Sequence, residues 1–373
     1  MARFQVRISN LTSHTNLLLA LVMASLPILD LNLFLSDSSA DKTRFVNDLQ
    51  QAVLQYGFFY LRDTVFLSPE LQQSALTHAK AFFALPIEEK LKIQMIKSPH
   101  FRGYQKMGAE TTNFKQDNRE QIDYGLEVEA EPMTESTPAY LGLKGPNQWP
   151  DIPGFKETFS TYMEACTDIA KALLRAVALS LDLDEHHFSM FEHEPHTRMK
   201  VVRYPPMGHQ IDQPHEHGLG VGPHKDYGCL TILLQDDVGG LQVQAQNGTW
   251  IDATPIPGCL VINIGEMFER MTQRTYTATV HRVLNNTTGK DRISLPVFCN
   301  PNVATQVPIL DIPEHLLEQR PKDVQSDVKA EQLLQYPVYG ESAFRGLSRS
   351  HPMVANKWYE NRNGIWRRRT QAA

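Results

Sequence analysis

The short stretch from Gly222 to Gly228 constrains the fold of this chain more than any other part of its sequence. It places His224 and Asp226 two residues apart, so in an extended backbone both side chains point to the same side. His281 follows 55 positions after Asp226. Two imidazoles and one carboxylate are the ligand set that suits non-haem Fe(II) and leaves coordination positions open. We therefore expect the fold to bring two distant segments together around one iron ion.

Both segments are predicted to be β-strands. Residues 229–234 are apolar and β-branched, as in a buried strand, and residues 276–280 form a strand-like run that His281 ends. Ligands on two strands make a rigid site with one open side. A single histidine among the 14 in this chain is more often a surface or core residue than a ligand. The downstream histidine, followed by the motif described next, makes a metal site the favoured interpretation.

Arg292 and Ser294 follow His281 in a further apolar run, residues 292–298. On a strand they face the same side, roughly 7 Å apart. The planar guanidinium of arginine fits a carboxylate in bidentate fashion, and a serine hydroxyl adds a donor. An arginine can also pair with an internal acidic residue, which is the interpretation we would prefer without His281 upstream. With His281 present, the pair favours the binding of a carboxylate ligand.

These residues belong to a series of motifs that resembles the Fe(II)- and 2-oxoglutarate-dependent oxygenases of the isopenicillin N synthase type. The resemblance covers roughly residues 26–302. The matching motifs are H-K-D-Y-G at 224–228, D-V-G-G-L-Q-V at 237–243, G-T-W at 248–250, V-I-N-I-G-E at 261–266, H-R-V at 281–283 and R-I-S at 292–294.

The resemblance implies a mainly β fold with flanking α-helices, built on a double-stranded β-helix (jelly-roll) core. It implies that His224, Asp226 and His281 hold Fe(II). It also implies that Arg292 and Ser294 hold the distal carboxylate of 2-oxoglutarate, which is the cosubstrate together with O₂.

Further residues are candidates for the active site, and each of them also has an alternative structural role. By resemblance, Tyr204 lies near the carboxylate of the cosubstrate or substrate; alternatively, its ring is merely packed and its hydroxyl solvated. Arg102 lies in a region that borders the active-site mouth in relatives, so it is a candidate contact for an acidic substrate. A surface or structural salt bridge is its alternative role. His209, His215 and His217 precede the metal motif, and we interpret them as a solvated or substrate-facing loop.

The implied reaction oxidises a small organic substrate by hydroxylation, desaturation or ring closure, with release of succinate and CO₂. Two alternatives remain open. An oxidase like isopenicillin N synthase keeps the R-x-S motif and yet uses no 2-oxoglutarate. A metal-binding or sensor protein on the same scaffold would have no turnover, but the presence of all the ligand and anchor residues disfavours it.

The resemblance and the sequence pattern divide the chain into four parts. These are an N-terminal extension at residues 1–22, a helix-and-strand region at 23–145, an oxygenase core at 146–302, and a C-terminal extension with a lid helix at 303–373. The ligand-bearing part of the core is about residues 195–302. Helical spacing predicts helices over residues 39–56, 68–85 and 155–181 and a polar helix near 342–360, with residues 367–369 in a solvated tail.

Compartment and partners are predicted from composition. In the extension, Arg3 and Arg7 precede an apolar run that resembles a signal peptide, but a family-like start at Met23 leads us to favour an upstream extension over secretion. The four cysteines form no C-x-x-C motif and suit a reducing compartment, so we predict the cytoplasm. The formal charge of −6 gives no general attraction to nucleic acid or anionic membranes. We therefore predict a small-molecule substrate, with neither nucleic acid nor a membrane as partner.

Overall fold

The computed structural model describes residues 25–62, 65–112, 115–206, 219–320 and 337–369. Its strands are β1 (Ile28–Asp30), β2 (Phe58–Arg62), β3 (Gly103–Gln105), β4 (Thr111–Thr112), β5 (Lys115–Gln116), β6 (Glu120–Gly125), β7 (Arg198–Tyr204), β8 (Leu219–His224), β9 (Leu230–Gln235), β10 (Leu241–Gln244), β11 (Trp250–Asp252), β12 (Leu260–Ile264), β13 (His281–Leu284), β14 (Arg292–Cys299), β15 (Tyr359–Arg362) and β16 (Ile365–Arg368). Its helices are α1 (Leu31–Leu35), α2 (Ser39–Tyr56), α3 (Pro69–Phe83), α4 (Ile87–Lys92), α5 (Phe155–Ser180), α6 (Glu266–Met271), α7 (Glu314–Leu317), α8 (Tyr339–Ser350) and α9 (Pro352–Trp358).

Two of the sheets form the centre of the fold. The larger sheet has the strand order β1-β2-β12-β9-β14-β7-β6-β3, and the smaller sheet has the order β11-β10-β13-β8. Strands that are neighbours in a sheet are mostly distant in sequence, and all pairs in the larger sheet are antiparallel except β1 with β2. Residues from both sheets share one apolar cluster, so the sheets pack face to face. The predicted mainly β fold with flanking helices on a jelly-roll core is confirmed.

The two faces of the larger sheet have different roles, as the alternation of side chains along a strand requires. Along β14, Ile293, Leu295 and Val297 are buried in the large core that also contains the apolar side of α5. Arg292 and Ser294 alternate with them and therefore face inward, toward the smaller sheet. One strand thus contributes both to the core and to the candidate site.

The predicted N-terminal helices and the long central helix are present within two residues of their predicted ends. Ser38 and Ser68 cap α2 and α3, because their side-chain oxygens accept from the backbone N–H groups of Asp41 and Leu71, each at 3.2 Å. Gly57 ends α2 with a φ of 63°, a backbone conformation that glycine adopts without steric cost. The chain then enters β2 directly.

The strand predicted before His281 is wrong. Residues 276–280 form no ladder; His281 begins β13 instead of ending a strand. The polar groups of this segment bond elsewhere, since the Ala278 N–H donates to Glu269 Oε2 at 2.9 Å and Thr279 Oγ1 donates to the Tyr56 carbonyl at 2.7 Å. Ala278 and Thr279 are thus bound to helices, whereas Val280 contacts β10, because its carbonyl oxygen accepts from the Gln244 N–H at 2.8 Å.

The C-terminal prediction is also partly wrong. The polar helix expected near residues 342–360 consists of two helices, α8 and α9, because Pro352 disfavours helical geometry at His351. The expected solvated tail is part of the hairpin β15–β16. In it, the Arg368 guanidinium lies 4.8 Å from the centre of the Trp358 ring, and Arg369 Nε donates to the Tyr359 carbonyl at 2.9 Å.

Two further predictions concern segments that the structure does not describe and the possibility of a membrane span. The extension at residues 1–22 and the histidines His209, His215 and His217 lie outside the described residues. Among the residues that the structure describes, none of the helices combines the length and the hydropathy that a membrane span needs.

Candidate active site

His224, Asp226 and His281 come together where two strands of the smaller sheet meet. β8 ends at His224, β13 begins at His281, and these two residues are paired across the strands. The Nε2 atoms of His224 and His281 lie 3.8 Å and 3.7 Å from Asp226 Oδ1. One ligand atom from each of the three side chains lies within 4.8 Å of the others. The structure therefore brings together the three residues that the sequence predicted as metal ligands, which we call the triad.

Backbone carbonyls orient both imidazoles of the triad. His224 Nδ1 is 2.9 Å from the Gly222 carbonyl oxygen, and His281 Nδ1 is 3.1 Å from that of Thr279. A carbonyl oxygen only accepts, so each Nδ1 carries the proton and donates. Each Nε2 then keeps its lone pair on the side that faces Asp226, as a metal ligand requires.

Two residues that the sequence analysis missed orient the carboxylate. Asp226 Oδ2 accepts from Thr231 Oγ1 at 2.6 Å and from Asn263 Nδ2 at 2.8 Å, which leaves Oδ1 facing the imidazoles. Thr231 lies on β9 and Asn263 on the adjacent β12, and both face inward. Each is a polar residue within a predominantly apolar strand, and that is the sequence signal that points to them.

The electrostatics of the triad suit a divalent cation. Burial and the neighbouring His281 lower the pKa of His224 to about 4, although Asp226 acts in the opposite direction. Burial opposes ionisation of Asp226, but the two imidazoles and the hydrogen bonds to its carboxylate outweigh this and hold its pKa below the usual value. At neutral pH His224 therefore presents an imidazole lone pair beside the Asp226 carboxylate. This donor set, with one side open, fits Fe(II).

Arg292 is buried on the inner face of β14, where it is paired with Tyr204 on β7. Its Nη2 donates to Gln235 Oε1 at 3.1 Å, and its guanidinium lies 4.9 Å from the centre of the Tyr204 ring. Its Nε and Nη1 are buried and have no hydrogen-bond partner among the described residues. Buried donors without a partner are uncommon in native proteins, so these nitrogen donors fit an anionic ligand.

An internal salt bridge does not account for Arg292. Asp236 lies nearby, but its carboxylate accepts from two backbone N–H groups, those of Ile293 at 2.7 Å and Val238 at 3.1 Å. Ser294 is buried on the same face as Arg292 and is paired with Gln235 on β9. The residues predicted to bind the cosubstrate, Arg292, Ser294 and Tyr204, therefore lie close together.

Arg102 lies in the interior of the protein and not at its surface. It is only 2% exposed, and its Nη2 donates to the Leu143 carbonyl at 3.1 Å. Its guanidinium rests against Gly125, where a Cβ would collide with it. Its Nε and Nη1 have no partner among the described residues. The surface alternative for Arg102 is therefore wrong.

Comparisons with known proteins are consistent with this geometry. Residues 26–152 match the family model described as "non-haem dioxygenase in morphine synthesis N-terminal", and residues 195–301 match the "2OG-Fe(II) oxygenase superfamily". A 2-oxoglutarate-dependent dioxygenase, frbJ, from Dothideomycetidae sp. is 35% identical over 347 residues, which cover 90% of this chain and 92% of the relative. A 1-aminocyclopropane-1-carboxylate oxidase from Dictyostelium discoideum is 33% identical over 305 residues, which cover 74% and 82%.

A solved structure extends the similarity to the fold. A full-length protein from Neurospora crassa, solved in complex with alpha-KG, matches with a TM-score of 0.69 and 26% identity, over 87% of this chain and 96% of that one.

The chain therefore belongs to the 2OG-Fe(II) oxygenase superfamily, in its isopenicillin N synthase-like branch. It is an Fe(II)- and 2-oxoglutarate-dependent dioxygenase, an enzyme that uses O₂ to oxidise small organic substrates. The predicted family, reaction class and cofactors are confirmed.

Proposed function

We propose that His224, Asp226 and His281 hold the Fe(II) of this oxygenase, and that Arg292 anchors the far carboxylate of 2-oxoglutarate with the help of Ser294. The observation that carries the metal assignment is the compact donor set of the triad, with each Nε2 lone pair free. The buried and unpartnered N–H groups of Arg292 support the assignment of the cosubstrate anchor.

The chain's own residues have distinct tasks in this proposal. Thr231 and Asn263 hold Asp226 so that one oxygen faces the metal position. Tyr204 packs against the Arg292 guanidinium and limits where the cosubstrate carboxylate can lie. When bound, Fe(II) supplies the redox chemistry that couples decarboxylation of 2-oxoglutarate to oxidation of the substrate. Arg102 is assigned to the substrate side of the site.

We extend the proposal to the surrounding chain. Residues 23–145 and 303–373 flank and close the core at residues 146–302, whose ligand-bearing part begins near residue 195. The four cysteines are all buried and none of them forms a disulfide, which supports action in a reducing compartment, the cytoplasm.

The metal and cosubstrate assignments are tested by titrating 2-oxoglutarate into the Fe(II)-loaded protein without O₂. The chelate of Fe(II) and 2-oxoglutarate has a visible charge-transfer absorbance, which we expect for the wild type. His224→Ala, Asp226→Ala and His281→Ala are each expected to lose iron, measured by metal analysis, while circular dichroism shows a retained fold. Arg175→Gln, on α5 across the larger sheet, is the matched control and is expected to keep both iron and absorbance.

Two outcomes would contradict the proposal in different ways. If all three triad variants retain wild-type iron content, the metal has been assigned to the wrong residues. If the wild type binds iron but neither forms the chelate nor consumes 2-oxoglutarate, the oxidase alternative takes its place.

A further inference from the structure

A row of residues on the inner face of the larger sheet leads from the triad to Arg102. Thr231, which donates to the triad's carboxylate, is paired across strands with Phe298, Phe298 with Arg198, and Arg198 with Gly125. Gly125 lies directly beneath the Arg102 guanidinium. The row spans three interstrand spacings, roughly 14 Å between backbones. Arg102 therefore lies at the opposite end of one continuous inner surface from the triad.

The space above Phe298, in the middle of this row, is accessible. Pro296 and Phe298 face inward from β14, which lies in the middle of the sheet, and the residues that alternate with them are buried in the large core. Nevertheless, both inward-facing residues are only half-buried. An inward side chain on a central strand is accessible only where the interior holds a cavity. A small molecule can therefore lie over Phe298, between the triad and Arg102.

Two buried carboxylates beside this space, those of Glu110 and Asp123, are held in a chain of ion pairs. Glu110 lies 3.1 Å from Arg119 and 3.0 Å from Lys200, measured between oxygen and nitrogen. Asp123 Oδ1 lies 3.0 Å from Lys200 and 3.3 Å from Arg198. The other oxygen of Asp123 accepts from two glutamine side chains. These carboxylates are therefore already paired and are not the partners that Arg102 lacks.

Arg102 and His351 are buried at the far end of the row, and both have polar atoms without partners in the part of the chain that the structure describes. Besides Nε and Nη1 of Arg102, neither ring nitrogen of His351 has a hydrogen-bond partner among the described residues. His351 lies at the junction of α8 and α9, is 5% exposed, and its ring centre is 6.2 Å from that of Phe101, the residue before Arg102. Native proteins leave few buried polar atoms unpaired, so a ligand or solvent is expected beside these groups.

The charges in this region favour an anion. Burial, together with the neighbouring Arg198, lowers the pKa of Arg102 to about 9, because the opposing charges of Asp123 and Glu127 offset them only in part. Burial lowers the pKa of His351 to about 4, which makes it a neutral ring that can donate one hydrogen bond and accept another. Glu127 is the other acidic residue in range of Arg102, but it is exposed and accepts from the Trp149 indole at 3.1 Å.

We propose that Arg102 and His351 together bind the carboxylate of the substrate, which is a small organic acid whose opposite end lies over Phe298 and reaches the triad. This inference rests on the proposed function and adds the substrate class and a contact from the C-terminal part of the chain. Arg292, at the cosubstrate end of the inner face, has the same signature, a buried guanidinium whose Nε and Nη1 lack partners among the described residues. In this proposal Arg292 binds the carboxylate of the cosubstrate, and Arg102 binds the carboxylate of the substrate.

The test measures binding of matched acids and amides to the full-length protein loaded with Fe(II) and 2-oxoglutarate without O₂. The probes are hexanoate, octanoate, phenylacetate and 3-phenylpropionate, each compared with its primary amide by isothermal titration calorimetry. A charged hydrogen bond corresponds to roughly 10- to 150-fold in affinity, so we expect acids to bind more tightly than their amides by a factor in this range. The absorbance of the 2-oxoglutarate chelate gives a second, independent readout of ligands beside the metal.

Substitutions test whether Arg102 and His351 cause the preference for acids over amides. In Arg102→Gln the acids are expected to lose their 10- to 150-fold advantage while the amides change little. Arg102→Lys keeps a charge but not the planar donor, so we expect a smaller loss. His351→Phe keeps an aromatic ring without nitrogens and is expected to weaken acid binding about 5-fold. Arg175→Gln removes a guanidinium on the other side of the larger sheet and is expected to have no effect.

Several outcomes overturn the inference. These are acids that bind no better than amides to the wild type, no binding of any acid, or an unchanged preference in both Arg102→Gln and His351→Phe. If Arg102→Gln does not fold, Arg102→Lys and His351→Phe decide the question. Failure of the proposed function is distinguishable, because the wild type would then form no chelate with 2-oxoglutarate in the absence of any probe.

Discussion

At the scale of single residues, this site depends on polar groups that are buried and held in one orientation. The triad is oriented by carbonyl oxygens and by Thr231 and Asn263, so its ligand atoms face one another. Arg292 and Arg102, in contrast, are buried with N–H groups left unpaired among the described residues. The first arrangement suits a permanent cofactor, and the second suits acids that enter and leave.

The first residue-scale prediction concerns the cosubstrate anchor. Arg292→Ala removes charged hydrogen bonds, so we expect 2-oxoglutarate affinity to fall by roughly 10- to 150-fold. Arg292→Lys restores the charge without the planar fork and is expected to recover only part of the loss. Titration of the chelate absorbance measures both. Iron content is the internal control, since Arg292 is not a proposed ligand; tight 2-oxoglutarate binding in Arg292→Ala would place the anchor on another residue.

The second residue-scale prediction concerns Glu110 and pH. Burial opposes its ionisation, but Arg119 and Lys200 hold its pKa well below the usual range. A lowered pKa contributes stability that is present above the unfolded value of about 4.3 and is lost as pH falls toward the folded value. Glu110→Gln should therefore cost about 3 kcal/mol at pH 7, the low end for breaking a buried ion pair, because each cation keeps another carboxylate.

Urea unfolding from pH 7 down to pH 3 checks this prediction. The stability difference between wild type and Glu110→Gln should shrink below about pH 4.3. Glu164→Gln, in α5, is the control and is expected to show no such convergence. A difference that stays constant across the pH range would show that the ion pairs of Glu110 do not contribute to acid sensitivity.

At the scale of elements, the C-terminal hairpin β15–β16 is a structural part of the site region. Tyr359, at the start of β15, is fully buried, and its hydroxyl donates to the Pro99 carbonyl at 2.8 Å. Its ring centre lies 4.7 Å from that of Phe344 and 6.0 Å from that of Phe101. The hairpin therefore holds α8 and the segment that carries Arg102 against each other.

The element-scale prediction follows from this packing. Tyr359→Ala removes a buried aromatic ring and is expected to cost about 3–5 kcal/mol of the free energy of unfolding. Ile365→Ala, in the same hairpin, is the control, because Ile365 is 58% exposed and a surface change usually stays within about 0.5 kcal/mol. Denaturant unfolding measures both. If Tyr359→Ala is as stable as Ile365→Ala, the hairpin is not part of the cooperative core.

At the scale of the whole molecule, the larger sheet separates two environments. Its outer face packs on the helices in the large core, whereas its inner face and the smaller sheet share the second cluster and the candidate site. Function and stability are thus assigned to opposite faces of the same strands. Substitutions on the outer face should change stability first, and those on the inner face should change binding first.

The whole-molecule prediction concerns residues 1–22. The family match begins at residue 26, and the first described element begins at Ile28. Deletion of residues 1–22 is therefore expected to leave the melting temperature and 2-oxoglutarate turnover near wild type. Both are measured on purified protein, with the full-length chain as reference. A large loss in either would show that the extension is structural, and detection of the protein outside the cytoplasm would favour the signal-peptide interpretation.

Local sequence patterns were sufficient for much of this protein. Helical spacing predicted α2, α3 and α5 closely, because an amphipathic face depends on residues within a few turns. A spacing of two residues predicted that His224 shares a face with Asp226, and Arg292 with Ser294, because the alternation of side chains is a local property of extended backbone. The motif order then indicated the family and its cofactors.

Tertiary structure alone decided the remaining features, since these depend on contacts between distant positions. Asn263 orients Asp226 across 37 positions, and the Leu143 carbonyl holds Arg102 across 41. Thr279, shortly before His281, donates to the Tyr56 carbonyl across 223 positions, and the Tyr359 hydroxyl in the C-terminal hairpin donates to the Pro99 carbonyl across 260 positions. The periodicity of the sequence predicts which side of a helix or strand is apolar. It does not predict the hydrogen-bond partners of the polar side chains, because those partners come from distant elements that meet only when the chain folds.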